Sequence, residues 1–168
     1  MRRRAYALWG VLVAFAGPEA GQPDEPADDC RPLFSIHRNT NRNELVYEAC
    51  LAGGEFASQP IRAHWVMRES DGHREELTAL EERFAYGTVI RAASPDAVSF
   101  GLRALPAGEL VARREGDEVR AFTEIDGRSR ALVSVYIELG GGLFPSVRSV
   151  ELVGRDTAGA ICKEQLVP

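Results

Sequence analysis

Asp126-Gly127 stands between two runs of alternating residues, Glu118 to Ile125 and Ser129 to Leu139. An Asp-Gly pair in that setting is a strong hairpin signal, because a type I′ turn needs positive φ at both central positions and few other residues accept it. The flanking runs are thereby committed to antiparallel strands. Gly116-Asp117 divides Glu109–Glu115 from Glu118–Ile125 in the same way. Ala131, Val133, Val135, Ile137 and Leu139 recur with period two, which predicts one continuous apolar face before Gly140-Gly141-Gly142 ends the strand.

The N-terminal half reads similarly. LFSIHR (33–38) and ELVYEACL (44–51) flank Asn39 to Asn43, a five-residue hairpin loop in which Arg38 opposes Glu44. In residues 61–68, Ile61, Ala63, Trp65 and Met67 face one way, and Arg62, His64, Val66 and Arg68 the other. Further strands are expected at 88–92, 97–104, 146–154 and 160–166. One short helix is expected over about 78–86: Thr78 and Glu81 form a T-x-x-E capping box, Leu80 and Phe84 form an i, i+4 face to dock on the sheet, and Gly87 is placed as the C-terminal cap. About nine short strands and one helix give a mainly β chain, an antiparallel β-sandwich or flattened barrel.

The N-terminus has a different character. Arg2, Arg3 and Arg4 precede an apolar run from Ala5, and Ala14-Phe15-Ala16 is an A-x-A cleavage site, with Ala20 as a second. This is the layout of a secretory signal peptide over 1–16 or 1–20. Its apolar stretch of about 12 residues falls short of the roughly 20 that a spanning helix needs. Ala27-Asp28-Asp29 before Cys30 does not suit a lipobox, so an exported protein of the periplasm or extracellular space is expected, with no transmembrane span in the mature chain. Residues 17–31 are acidic and proline-rich, with little to bury, and read as a flexible linker. Residues 32–168 then form a single domain.

The whole chain carries 20 basic and 25 acidic residues, for a net charge of −5. Residues 1–16 hold three arginines and no acid, so their removal leaves a formal −8. Nucleic acid is therefore not an expected partner, since such binding rests on neutralising phosphates. Three cysteines remain after cleavage. An exporting compartment allows one disulfide. The hairpin register places Cys30 two residues beyond the position opposite Cys50, which favours Cys30–Cys50; Cys50–Cys162 is the next pairing.

Motifs for nucleophilic, phosphate or zinc chemistry do not occur: there is no G-x-S-x-G, H-E-x-x-H, CxxC or P-loop. His37, His64 and His73 have no ligand spacing, so neither metal nor cofactor is expected. Arg62, His64 and Arg68 on one strand face offer guanidinium donors to a carboxylate or headgroup, although a solvated face paired with acids uses the same residues. Trp65 is assigned to the core. Tyr86 suits either a ligand contact or an anchor for the helix end.

Phe34 to Tyr47 (FSIHRNTNRNELVY), Pro60 to Trp65 (PIRAHW), Arg74 to Leu77 (REEL), Phe84 to Gly87 (FAYG) and Val150 to Gly154 (VELVG) follow one another in an order that resembles a bacterial family of small exported proteins, the domain-of-unknown-function 4833 family. The resemblance spans about residues 33–166. It implies a mainly β domain behind a signal peptide, and marks Arg38, Asn41, Asn43, Trp65, Tyr86 and Gly87 as family-like positions. Two functions follow as expectations. The first is a non-catalytic binding or envelope-associated module for a small ligand or an envelope protein, using Arg38, Asn41, Asn43, His64, Arg68 and Tyr86. The second is an envelope hydrolase with carboxylate and histidine acid–base chemistry, its first candidates being His64, Glu75 and Glu76.

Overall fold

The computed structural model describes residues 29–103, 105–141 and 146–167. The expected signal peptide and nearly all of the expected linker lie outside the described residues. Eleven strands are present: β1 (Asp29–Arg38), β2 (Asn41–Ala52), β3 (Glu55–Val66), β4 (Arg74–Glu76), β5 (Thr88–Ala93), β6 (Ala97–Leu102), β7 (Leu105–Glu115), β8 (Glu118–Ile125), β9 (Arg128–Leu139), β10 (Val147–Arg155) and β11 (Ile161–Leu166). Among the described residues there is a single helical segment, made of α1 (Ala79–Glu81) and a π-helical turn (Glu82–Tyr86). The chain is mainly β, as expected.

The architecture turns on β9. One of its edges is taken by β10 along most of its length. The other is shared in succession: β8 pairs with Arg128 to Ala131, and β1 pairs with Ser134 to Ile137. The sheet therefore forks into two arms, β1-β2-β3-β4 and β8-β7-β6-β5. The arms curl towards each other, so that β3 approaches β5 and β6. Phe34, Leu45, Tyr47 and Ala49 of one arm share the core with Val98, Phe100, Ala121 and Ile125 of the other. β3 pairs with β2 and β4, and β5 pairs with β6, but the facing edges of β3 and β5 do not pair.

This corrects the antiparallel sandwich or flattened barrel expected from the sequence. The sheet is mixed, because β1 runs parallel to β9, and it is a curled half-barrel rather than a closed body. The expected continuous apolar face of β9 is also interrupted. Leu132 pairs with Gly154 and Ser134 with Val153, which leaves Val133 as an extra, bulged residue. Leu132 and Val135 both point inward while Val133 is 39% exposed. The bulge lies where the edge passes from β8 to β1, and the change of phase lets each arm receive its own inward residue. Gly154 suits this crossing, where an added Cβ would press on Cδ1 of Ile125 at 2.5 Å and on the carbonyl oxygen of Ala131 at 3.1 Å.

Asp126 and Gly127 take φ of 52° and 68°, as the type I′ turn demands. The first hairpin is tighter than expected. Arg38 pairs with Asn41 across a two-residue Asn39-Thr40 turn, and bulges after Pro32 and Ile36 reset the register. Cys30 thereby lies directly opposite Cys50, and the two form the disulfide. Cys162 remains a free thiol. Asn39 replaces a strand residue: its side-chain amide donates to the carbonyl of Leu139 (3.0 Å) and accepts from its N–H (2.9 Å). β1 begins at Asp29, three residues before the domain start expected at Pro32, and its cysteine is tied into the sheet.

The capping box forms: Oγ1 of Thr78 accepts from the Glu81 N–H, and the Glu81 carboxylate accepts from the Thr78 N–H at 2.9 Å. The apolar face expected to dock does not. Leu80 and Phe84 are 71% and 67% exposed, and the segment has no buried residue. Polar contacts hold it instead. Trp65 donates to Glu81, and the buried Tyr47 hydroxyl donates to the carbonyl of Tyr86 at 2.7 Å. Gly87 is extended (φ −65°), not a left-handed cap. It is glycine because a Cβ there would come within 1.9 Å of the Glu82 carbonyl oxygen.

Candidate functional site

β3 carries chemistry on both faces. On the inner face Trp65, opposite Leu45 on β2, meets Tyr86 edge-to-face with ring centres 5.3 Å apart. The Arg38 guanidinium from the end of β1 lies 4.7 Å over the Trp65 ring and donates to the Tyr86 hydroxyl at 2.8 Å. A cation over an indole face is held by the ring's quadrupole, and burial strengthens that attraction. The buried Nε of Arg38 has no hydrogen-bond partner. Glu81 is close by. Partial burial works against its charge, but hydrogen bonds from Thr78 and Trp65, together with Arg38, prevail and hold its carboxyl below the ordinary range. Arg38, Asn43, Trp65, Glu75 and Glu81 line a hollow of about 400 Å³.

The outer face holds a second group. Glu48 interrupts the apolar run of β2 and is only 8% exposed. A buried carboxylate needs a partner. Arg74 of β4 supplies one, donating to Glu48 at 3.0 Å and to Glu76 at 2.9 Å. His64, which pairs with Glu76 across β3 and β4, lies beside them and is 6% exposed. Its Nδ1 is 3.5 Å from Glu48, too far for a hydrogen bond, and has no partner. Burial pushes the His64 imidazole below its ordinary value; Arg74 adds to this, and Glu48 and Glu76 oppose it without reversing it.

A cleft of about 490 Å³ opens between these groups and the helix. It lies on the side where β3 and β5 fail to pair. Its walls are Ser58 to Ala63 of β3, Arg74 and Glu76 of β4, Glu82 and Tyr86 of the helical segment, and Thr88 and Ile90 of β5. The β3 wall is irregular. Ala49 pairs with Ile61 and Leu51 with Phe56, so residues 57–60 bulge outward opposite Cys50. The bulge and Pro60 leave only Ile61 to Ala63 as regular edge before β4 begins. This shortens the edge that another strand could join and leaves a slot.

The residues singled out from the sequence separate into distinct places. Arg38 and Tyr86 are joined directly, and Asn43 shares the Arg38 hollow while accepting from the Glu69 N–H at 3.1 Å. Asn41 has a buried Oδ1 without a partner and lines neither opening. Arg68 lies beyond the end of β3 and is paired with Glu44 at 3.1 Å. It does not join His64 on one face as alternation suggested, because the chain turns at Met67. Glu75 and Glu76 face opposite sides, towards the Arg38 hollow and the cleft respectively. Among the described residues, no three His, Cys, Asp or Glu side chains are grouped to hold a metal, and no helix is long and apolar enough to cross a membrane.

Sequence reasoning missed Glu48 and Arg74 as site residues and read Glu81 as a helix cap alone. Glu48 carried a signal, an acid within an otherwise apolar strand, LVYEACL. Arg74 and Glu81 carried none for their contacts, which depend on where β4 and the helix return.

In comparison with known proteins, residues 34–164 match the family described as a domain of unknown function (DUF4833). No curated protein and no solved structure matches the chain.

Proposed function

Because the chain belongs to the DUF4833 family, which attaches no activity to it, we propose from the geometry that it is an exported, non-catalytic binding module. The ligand is a small polar molecule held in the cleft between β3 and the helix. The proposal includes a leader removed at 1–16 or 1–20, a linker that ends where β1 begins at Asp29, and the chain from there on as a single domain in the periplasm or outside the cell. The Cys30–Cys50 disulfide is compatible with that location.

One observation carries the reading. The half-barrel is not closed between β3 and β5, and there the opening is lined by side chains that are charged, of both signs, or carry a hydroxyl: Arg62, Arg74, Glu76, Glu82 and Tyr86. A concave site with a few convergent polar groups is the usual form of a ligand site. The hydrolase reading has less support. Glu75 and Glu76 face apart, and a catalytic imidazole must reach its substrate, whereas His64 is sealed.

Thermal-shift screening of the purified chain against amino acids, dipeptides, sugars and sugar acids tests the proposal. A compound that raises the melting temperature of the wild type but not of Tyr86→Ala or Glu82→Ala is expected. If no compound does so, or if hits act equally on the variants, the cleft is not the site.

A further inference from the structure

A second surface, on the far side of the helix from the cleft, has different chemistry. Leu80 and Phe84 are among the most exposed large apolar side chains of the described residues. The segment that carries them is fixed at both ends, by the capping box and Trp65 at its start and by the Tyr47 hydroxyl at its finish. Beside Phe84 lies a hollow of about 320 Å³ with Val89, Gly101 and Leu102 in its lining. Three arginines complete it: Arg83, Arg91 and Arg103. No acid lines it. Arg83 stacks on the Phe84 ring, 5.3 Å from its centre. Arg91 lies across β6 in the space left by Gly101, where a Cβ would meet its Nη2 at 2.9 Å, and donates to the carbonyl of Gly108 at 3.2 Å.

We propose that this surface docks on an anionic lipid bilayer. Leu80 and Phe84 would enter the interfacial layer while Arg83 and Arg103 meet the headgroups. Apolar side chains projecting from a helical segment, with basic residues around them, are the composition of interfacial anchors. The chain has a net charge of −5, so contact with an anionic surface must come through a local basic patch. This face concentrates arginine and exposed apolar side chains together. The inference does not depend on the cleft, which lies elsewhere.

Co-sedimentation of the purified chain with phosphatidylcholine vesicles, and with vesicles that also contain phosphatidylglycerol, tests it. Binding to the anionic vesicles alone is expected, falling as salt is raised. Arg103→Glu should weaken it about fivefold or more, from the contribution of each basic residue near an anionic surface. Phe84→Ser should weaken it about tenfold. Both side chains are exposed, so unchanged melting curves are expected and will separate lost docking from lost folding. The proposal is overturned by no binding to anionic vesicles, by equal binding to both vesicle types, or by binding that survives both substitutions. It is also overturned if an acidic soluble peptide binds through Phe84 while vesicles do not, which would make this a protein-docking face.

Discussion

The hydroxyl of Tyr47, at the centre of β2, donates at 2.7 Å to the main-chain carbonyl of Tyr86, thirty-nine residues later. The contact fixes the end of a helical segment that buries none of its own side chains. It also relates the two openings, since Tyr86 lines the cleft and its hydroxyl accepts from Arg38.

Tyr47→Phe removes that donor and leaves the carbonyl without this partner. A loss of about 1–2 kcal/mol is expected, measured by urea unfolding. Burial, with a smaller contribution from Tyr86, raises the Tyr47 phenol above its ordinary value of 10.0. The folded state thus holds its proton where the unfolded chain releases it, so this residue reduces stability as pH rises above 10. Tyr47→Phe should flatten the loss, and an unchanged alkaline slope would contradict the assignment.

Gly87→Ala tests why the π-helical turn ends where it does. The new methyl would meet the Glu82 carbonyl oxygen at 1.9 Å, so the turn must rearrange. A destabilisation of about 2–4 kcal/mol is expected in thermal or chemical unfolding. Gly53→Ala and Gly54→Ala meet no neighbouring atom and are strained only by positive φ, so each should cost less.

His64 predicts an acid-side dependence. Its folded-state pKa is lowered from the ordinary 6.5 by burial. Below that value the unfolded chain takes up a proton that the folded chain refuses, so this residue reduces stability as pH falls. Chemical unfolding at pH 7.5 and 5 should show the decline in the wild type and a shallower one in His64→Phe. Equal slopes would mean that the imidazole is not desolvated as its burial indicates.

Reducing the Cys30–Cys50 bond opens a loop of sequence separation 20. The double variant Cys30→Ala, Cys50→Ala should lose about 3 kcal/mol, chiefly through a less constrained unfolded chain. Cys162→Ala should leave the disulfide intact and be nearly neutral. Mass spectrometry of the non-reduced protein would contradict this if Cys162 were found bridged.

Local chemistry was legible wherever one stretch of chain settled it. Asp126-Gly127 specified its turn, Thr78 and Glu81 specified their cap, and period-two alternation placed most strands, because each depends on φ, ψ and side-chain direction within a few residues. Even the Cys30–Cys50 pairing followed from a hairpin, although its register shifted by bulges that no local signal marks. The candidate site was legible only in parts. Arg62, Glu76 and Tyr86 of the cleft were singled out, but their convergence with Arg74 and Glu82 was not.

The sequence by itself determined that this chain makes strands, where they turn, and which residues are able to cap, pair or cross-link. Only the tertiary structure decided that β9 shares one edge between β8 and β1, that Glu48 and His64 are covered, and that Leu80 and Phe84 are left in water. The reason is physical. Strand formation and capping are short-range, whereas choosing an edge joins residues as distant as Asn39 and Leu139, one hundred positions apart. Such contacts are selected by the packing of the whole core, in which a neighbour's arrival decides whether a side chain is buried or exposed.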